Sequence, residues 1–188
     1  MVWTLPNLLS FFRIGIIPVL VYLLTFTDRL SATLAALLFL IASITDYFDG
    51  YLARRNRSVS DLGKILDPLA DKLMVASALI MLAAMDRPGQ PSVPAWLVVV
   101  IIARESAVTL IRGIALSEGI VMHADTLGKY KFILQAFAVV GLLLHYPYWS
   151  MDFYVAGIYF LALSAAVGVW SGIAYHLQFF RLRQARPI

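Results

Sequence analysis

Six long apolar stretches dominate the chain, and each is close to the roughly 20 residues that a helix needs to cross a bilayer. They cover about residues 8–27, 30–53, 65–85, 93–115, 127–146 and 152–178. The composition agrees, because 61% of the 188 residues are hydrophobic and 14% are charged. Soluble domains average about 45–50% apolar and about 25% charged residues. We therefore predict an all-α integral membrane protein with six transmembrane helices, in which residues 1–188 form a single membrane domain.

The distribution of basic residues favours one orientation in the membrane. Six spans place both termini on the same side. The basic residues expected on that side are Arg54, Arg55, Arg57, Lys64, Arg181, Arg183 and Arg186, whereas the opposite loops hold Arg29 and Arg87. Because cytoplasmic loops are enriched in Lys and Arg, we expect both termini in the cytoplasm and the protein in the cell inner (plasma) membrane. The chain has no cysteine, which excludes disulfides, thiolate metal sites and a cysteine nucleophile.

Four aspartates lie where the second and third apolar segments meet, namely Asp46, Asp49, Asp67 and Asp71. A carboxylate in a membrane costs about 2.5 kcal/mol or more, so four of them need a compensating cation. Spacings of three and four residues put each pair on one face of a helix. Carboxylates favour hard ions such as Mg²⁺ or Mn²⁺. Four could hold two ions about 3.5–4 Å apart, an arrangement that clamps a phosphoryl group during displacement.

Small residues and an arginine accompany the aspartates. Gly50, Ala53 and Gly63 would let helix backbones, or a bulky phosphate ligand, approach closely. Arg54 is suited to a phosphate contact. In an alternative interpretation, the aspartates are interfacial charges neutralised by neighbouring basic residues. That alternative does not account for the facial spacing on two helices.

The motif D-x2-D-G-x2-A-R-x8-G-x3-D-x3-D, which runs from Asp46 to Asp71, resembles the signature of the CDP-alcohol phosphotransferase family. The resemblance implies a six-helix membrane core and, commonly, a homodimer. It also implies roles for the motif residues: Asp46, Asp49, Asp67 and Asp71 bind two Mg²⁺ (or Mn²⁺) ions, Asp71 is also the catalytic base for the acceptor hydroxyl, and Gly50, Ala53, Arg54 and Gly63 contact the CDP part of the donor.

A second group of charged residues indicates the kind of acceptor. Arg104 and Arg112 lie eight residues apart in the fourth segment, and Lys129 and Lys131 open the fifth. Several cations near the membrane interface would bind an anion, so we predict a pocket for an acceptor that carries its own phosphate. Glu105 could orient one arginine. In the alternative interpretation, these basic side chains reach toward anionic lipid headgroups.

The sequence around this second group is similar to the branch of the family that uses glycerol 3-phosphate as acceptor. The similar segments are RESAVTLIRG from Arg104, TLGKYKFILQ from Thr126 and LPNLLSFFR from Leu5. In that branch the N-terminal segment lies along the membrane before the first span. Phe132 differs, because a hydroxyl residue is expected after the second lysine. The resemblance implies that the phosphatidyl group of CDP-diacylglycerol is transferred to glycerol 3-phosphate, with release of CMP, in phospholipid biosynthesis.

Two other kinds of function remain open at this stage. Another member of the family would use a different acceptor, such as inositol phosphate, serine or phosphatidylglycerol. A divalent-cation transporter would also place carboxylates in the membrane. In a transporter, however, carboxylates would line a path across the bilayer, whereas these cluster at one end of two spans.

Overall fold

The computed structural model of the protein describes residues 5–56, 61–85, 91–120, 122, 126–144 and 152–184. Within these ranges, the side chains of residues 5–7, 9, 46–56, 61–68, 126, 127 and 129 lie outside the description. The described residues form six helices and no strands: α1 (Leu5–Leu24), α2 (Arg29–Asn56), α3 (Asp61–Ala84), α4 (Ala95–Ser117), α5 (Thr126–Leu143) and α6 (Phe153–Gln184). Each helix overlaps one of the six predicted segments, so the all-α fold with six helices is confirmed.

The helices differ in how well they suit a bilayer. Among the described residues, the 32-residue helix Phe153–Gln184 is the one that is long and apolar enough to cross a membrane. Shorter apolar stretches occur at Ser10–Leu24, Arg29–Thr45 and Tyr130–Leu143. The polar motifs shorten the apolar part of α2, while α3 and α4 carry charged residues within their length.

The N-terminal segment does not form an element of its own in the described residues. We expected it to lie along the membrane before the first span. Residues from Leu5 onward belong to α1, which continues through Pro18 to Leu24, and the position of this end along the membrane stays a prediction. The helix tolerates the missing amide hydrogen of Pro18 within an otherwise apolar segment.

Aspartates begin two of the helices. The backbone N–H of Ser31 donates to Asp28 Oδ2 at 2.9 Å, and the Ser31 hydroxyl donates to Asp28 Oδ1 at 2.8 Å. The backbone hydrogen bond from Ser31 is the main reason why the pKa of Asp28 lies below its ordinary value. At the start of α6, the N–H of Tyr154 donates to Asp152 Oδ1 at 3.0 Å. Both aspartates thus satisfy amides that have no partner in the first helical turn.

Gly119 ends α4 in a Schellman motif. Its φ of 65° lies in the left-handed region, which glycine adopts without a Cβ penalty. The N–H of Ile120 donates to Ala115 O at 2.7 Å, and that of Gly119 donates to Leu116 O at 3.0 Å. Ile120 then packs with Ala115 and Phe179 in a small apolar cluster. This end of α4 is thereby attached to the last turns of α6.

Contacts between helices define their relative directions. Lys72 contacts Thr109 while Leu82 contacts Val93, so α3 and α4 run antiparallel. Arg104 contacts Gly168, and Glu118 pairs with Arg183 at 3.1 Å, so α4 and its extension run parallel to α6. Helix α5 runs antiparallel to α6, because Lys131 lies beside Gly168 and Gly141 lies beside Gly157.

One apolar core unites the bundle. Its buried members come from all six helices and include the fully buried Leu20, Phe39, Met74, Leu79, Leu142 and Leu161. Large apolar side chains also cover the outer faces, among them Tyr22, Leu30, Trp96, Leu110, Tyr159 and Trp170. Exposed apolar surface on this scale is unusual for a soluble monomer and typical of a protein that contacts lipid or a partner.

Candidate functional site

A cavity of about 410 Å³ opens between α3, α4 and α5. Most of its wall is apolar and comes from Leu69, Leu73, Val75, Ala76, Leu79, Ile101, Ile102, Leu110 and Phe132. Its polar residues are Asp71, Lys72, Glu105, Ser106, Thr109, Lys131 and Gln135. The cavity therefore brings Asp71, the last aspartate of the motif, together with Glu105 and Lys131 of the second charged group. Lys131 lies 60 residues after Asp71 in the chain.

Asp71 is the motif aspartate whose side chain the structure describes. It lies on α3, is partly buried, and has its Oδ1 atom shielded from solvent. The shielding is significant because a carboxylate in apolar surroundings must be stabilised by a hydrogen bond or a cation. Its position on the cavity wall is consistent with contact to a ligand inside the cavity.

The remaining motif residues are located by their backbones. Asp46, Asp49, Gly50, Ala53 and Arg54 lie in the second half of α2. Gly63 and Asp67 lie in the first two turns of α3, a helix that packs against α2. Their side chains lie outside the described residues, so the predicted metal ligands and CDP contacts remain predictions. Among the side chains that the structure does describe, no three His, Asp or Glu groups form a metal cluster.

Glu105 is the centre of the charged cluster. Its Oε1 atom accepts a hydrogen bond from Arg104 Nη1 at 2.9 Å and also contacts Lys131 Nζ. The Glu105 side chain is 21% exposed, while the Arg104 and Lys131 side chains are 13% and 10% exposed. A largely buried carboxylate between two cations offsets much of the cost of burying them. The prediction that Glu105 orients an arginine is confirmed.

Arg104 connects α4 to a narrow face of α6. Its Nε donates to Gly168 O at 2.8 Å, and its Nη2 donates to Ser171 Oγ at 3.1 Å. A Cβ placed on Gly172 would lie 3.4 Å from Arg104 Cγ, so the helix surface fits closely around the arginine stem. Several of the guanidinium donors are thus engaged with protein groups.

Arg112 lies two turns further along α4 and has a different partner. Its Nε donates to Tyr175 OH at 3.3 Å, and its Cζ lies 5.7 Å from the centroid of the tyrosine ring. This is a cation–π arrangement together with a hydrogen bond. Arg104 and Arg112 therefore share the side of α4 that packs on α6, as the eight-residue spacing predicts.

The structure brings together only part of the predicted acceptor pocket. Of the four predicted cations, Lys131 lines the cavity, and Arg104 joins it through Glu105. Arg112 lies at Tyr175 and is not among the described residues that line the cavity. Lys129 lies in the first turn of α5, and its side chain is outside the described residues.

Lys72 is a residue of the site that the sequence analysis did not identify. Its Nζ donates to Thr109 Oγ1, and the Thr109 hydroxyl in turn donates to Glu105 O at 2.7 Å. The sequence held one signal for it, because Lys72 directly follows the motif residue Asp71. The α6 partners also had a signal: Gly168, Ser171, Gly172 and Tyr175 follow the spacing of one helix face.

This arrangement suits the binding and reaction of a small anion. Lys131, Arg104 and Lys72 supply cations, and the partly buried Asp71 supplies a carboxylate that can accept a proton. The apolar remainder of the wall keeps the surroundings low in dielectric, which strengthens contacts between charges.

Comparison with known proteins agrees with the motif. The sequence model of the CDP-alcohol phosphatidyltransferase family matches residues 3–170. Over 190 residues the chain is 40% identical to the CDP-diacylglycerol–glycerol-3-phosphate 3-phosphatidyltransferase of Bacillus subtilis (strain 168), covering 95% of this chain and 94% of that protein. It is 41% identical over 140 residues to the protein of the same name from Rickettsia typhi, covering 74% and 76% of the two chains.

A plant relative bears a different name. The chain is 34% identical over 196 residues to a cardiolipin synthase (CMP-forming) of Oryza sativa subsp. japonica, covering 95% of this chain and 58% of that protein. The names of these relatives differ, but the family model spans most of the chain, including the whole aspartate motif and the cavity. The chain therefore belongs to the CDP-alcohol phosphatidyltransferase family.

Proposed function

We propose that the protein transfers the phosphatidyl group of CDP-diacylglycerol to glycerol 3-phosphate, giving phosphatidylglycerol phosphate and CMP. The observation that carries this proposal is the identity of 40% with the Bacillus subtilis protein of that name, over nearly the full length of both chains. The cavity supports glycerol 3-phosphate as the acceptor. It contains a carboxylate, which suits the hydroxyl of this substrate, and cations, which suit its phosphate.

The four aspartates of the motif suit hard divalent cations. Asp46, Asp49, Asp67 and Asp71 would hold two Mg²⁺ or Mn²⁺ ions, since carboxylate oxygens are the ligands that these metals prefer. The shielded Oδ1 of Asp71 fits such a role, because burial makes a bound cation a strong stabilising partner. When bound, the ions would neutralise the phosphates and stabilise CMP as the leaving group.

Asp71 is also the proposed catalytic base. It accepts the proton of the C1 hydroxyl of glycerol 3-phosphate. The freed oxygen forms a bond to the β-phosphorus of the donor, and the bond from that phosphorus to CMP breaks. Because the acceptor is already held near Asp71, little entropy is lost on reaching the transition state.

The remaining predicted site residues bind the two substrates. Gly50, Ala53, Arg54 and Gly63 are proposed to contact the CDP part of the donor. For the acceptor phosphate, we propose Arg104, Arg112, Lys129 and Lys131. Glu105 holds Arg104 and Lys131 in place and Tyr175 holds Arg112, which reduces the ordering required when the anion binds.

The proposed setting is a membrane, with the active site at its cytoplasmic face. We propose six transmembrane spans, an interfacial N-terminal end of α1 and both termini in the cytoplasm. The proposed location is the cell inner membrane, where the donor lipid tails would lie in the bilayer, and the protein is proposed to be a homodimer. The apolar outer faces of the bundle support contact with lipid or with a second copy.

A second candidate acceptor is phosphatidylglycerol. The sequence identity of 34% with the rice cardiolipin synthase favours it. The charged cluster argues for glycerol 3-phosphate instead, since cations at the cavity suit a small acceptor whose phosphate is a dianion.

An acceptor panel tests the proposal. Purified protein with Mg²⁺ and labelled CDP-diacylglycerol is offered glycerol 3-phosphate, inositol phosphate, serine or phosphatidylglycerol, and the lipid products are separated. We expect product with glycerol 3-phosphate, and with Asp71→Asn a loss of at least about 10²-fold in kcat, as for removal of a general base. Preference for another acceptor would contradict the proposed substrate, and near-normal activity of Asp71→Asn would contradict its role as base.

A further inference from the structure

We propose that Lys72 is a further binding residue for the acceptor phosphate, acting together with Lys131 from a different helix. The inference rests on the proposed function and adds a residue to the acceptor pocket. Lys72 comes from α3 and Lys131 from α5, and both line the cavity that also contains Asp71. Lys72 Nζ donates to Thr109 Oγ1, and the Thr109 hydroxyl donates to the carbonyl of Glu105, which places Lys72 beside the charged cluster.

The charged side chains of the site carry a net positive charge, which favours an anion. Within the described part of the chain, Arg104 and Lys131 both pair with Glu105, so two cations share one carboxylate. The contact of Lys72 is with the hydroxyl of Thr109, which carries no charge. Asp71 also lies on the cavity wall, so three cations face two carboxylates, and the remaining positive charge favours binding of a phosphate. Cations in low-dielectric surroundings are costly until such a partner arrives.

Thr109 positions Lys72 for this contact. Its hydroxyl donates to Glu105 O at 2.7 Å, so its oxygen is directed by its own helix and accepts from Lys72 Nζ. The ammonium group is thereby held at the wall shared with Glu105. An ammonium group has three donors, so Lys72 can keep Thr109 as a partner and still donate to a phosphate oxygen.

A purely structural role for Lys72 would have different consequences. In that case its bond to Thr109 would serve to connect α3 with α4. Removal of the ammonium group would then lower thermal stability and leave the affinity for substrates unchanged. The two roles are therefore separated by the Michaelis constants of the two substrates, measured independently.

The test compares Lys72→Met with Lys72→Arg in purified protein with Mg²⁺, CDP-diacylglycerol and glycerol 3-phosphate. We expect Lys72→Met to raise the KM for glycerol 3-phosphate by about tenfold or more, as for loss of a charge-assisted hydrogen bond. The KM for CDP-diacylglycerol should stay unchanged, and Lys72→Arg should restore much of the loss. Arg183→Met is the matched control, because it removes a cation from an exposed ion pair remote from the cavity.

An equal rise in both KM values, or no rise in either, would overturn the assignment.

Wild-type protein gives a second test that does not depend on a variant that folds. Glycerol 3-phosphate should slow the modification of Lys72 by an amine-reactive reagent, as followed by mass spectrometry, and glycerol should not. Equal modification rates with both compounds would also overturn the assignment. Failure of the proposed function is distinguishable, because wild type would then not use glycerol 3-phosphate at all.

Discussion

At the scale of single residues, Glu105 joins several of the charged groups in the described part of the site. Its carboxylate contacts Arg104 and Lys131, and its carbonyl accepts from Thr109, which holds Lys72. Through these partners one residue on α4, by its side chain and its backbone carbonyl, is connected to α3, α5 and α6. The energetic value of such a carboxylate depends on its burial, since charges in low dielectric interact more strongly than charges at a surface.

We expect Glu105→Gln to destabilise the protein, because the change leaves two largely buried cations side by side. Breaking a fully buried ion pair costs about 3–5 kcal/mol. Since Glu105 is 21% exposed, we expect a smaller loss, roughly 1–3 kcal/mol, after allowance for solvent screening. The measurement is thermal unfolding of the purified protein in detergent.

Glu118→Gln is the control for this prediction. Glu118 pairs with Arg183 at 3.1 Å, but the two side chains are 30% and 57% exposed. Exposed ion pairs contribute about 0–1 kcal/mol, so the control should unfold near the wild-type temperature. Equal shifts for the two variants would contradict a special role for the Glu105 cluster.

At the scale of secondary structure, the close contact between α5 and α6 depends on glycine. A Cβ on Gly157 would lie 2.8 Å from Leu142 Cγ and 2.9 Å from Leu142 N. Gly141 faces the same crossing, where a Cβ would lie 3.1 Å from Phe153 O. Small residues at a crossing let two helix backbones approach closely. This contact fixes the position of α5 relative to α6, and thus the distance of Lys131 from Gly168.

We expect Gly157→Ala to separate α5 from α6 and to lower the free energy of unfolding by about 1–3 kcal/mol, as overpacking does. Gly15→Ala is the control, because a Cβ there meets no atom within 4 Å. The control should be neutral or slightly stabilising, since alanine favours helix by about 1 kcal/mol over glycine. Thermal unfolding in the same detergent distinguishes them, and a Gly157→Ala protein as stable as wild type would refute the steric argument.

At the scale of the whole molecule, the two ends of α6 mark opposite ends of the described bundle. Ser92, which precedes α4 in the chain, lies beside the start of α6, because its carbonyl accepts from Tyr154 OH at 3.5 Å. Glu118 and Arg183 meet near the other end. With 32 residues, α6 is about 48 Å long at about 1.5 Å per residue. The hydrocarbon core of a bilayer is about 30 Å thick, so α6 could span it with turns to spare.

This arrangement predicts the accessibility of introduced cysteines. The natural chain has no cysteine, so Ser92→Cys and Gln184→Cys each create one unique thiol. In intact cells, a membrane-impermeant maleimide should label Ser92→Cys and not Gln184→Cys, because the basic C-terminal end is expected in the cytoplasm. After permeabilisation both should react. Labelling of both in intact cells would contradict a spanning α6, and the reverse pattern would contradict the orientation.

The sequence alone determined the elements and the family. The six helices were predictable because the length of an apolar segment is a local property, and the aspartate motif was readable because its spacing follows the chain. The sequence also placed Arg104 and Arg112 correctly on one side of α4 by their spacing. The side-chain roles of Asp46, Asp49 and Asp67 stay predictions.

Only the tertiary structure decided which charges meet. Lys131 reaches Glu105 across 26 residues of sequence, and Arg104 reaches Gly168 across 64. Such contacts depend on the direction and separation of whole helices, which no local pattern specifies. For the same reason Lys72 was overlooked: its significance comes from Thr109, a residue on another helix. The sequence thus determined which residues are available for chemistry, and the packing of α3, α4, α5 and α6 decided which of them share a cavity.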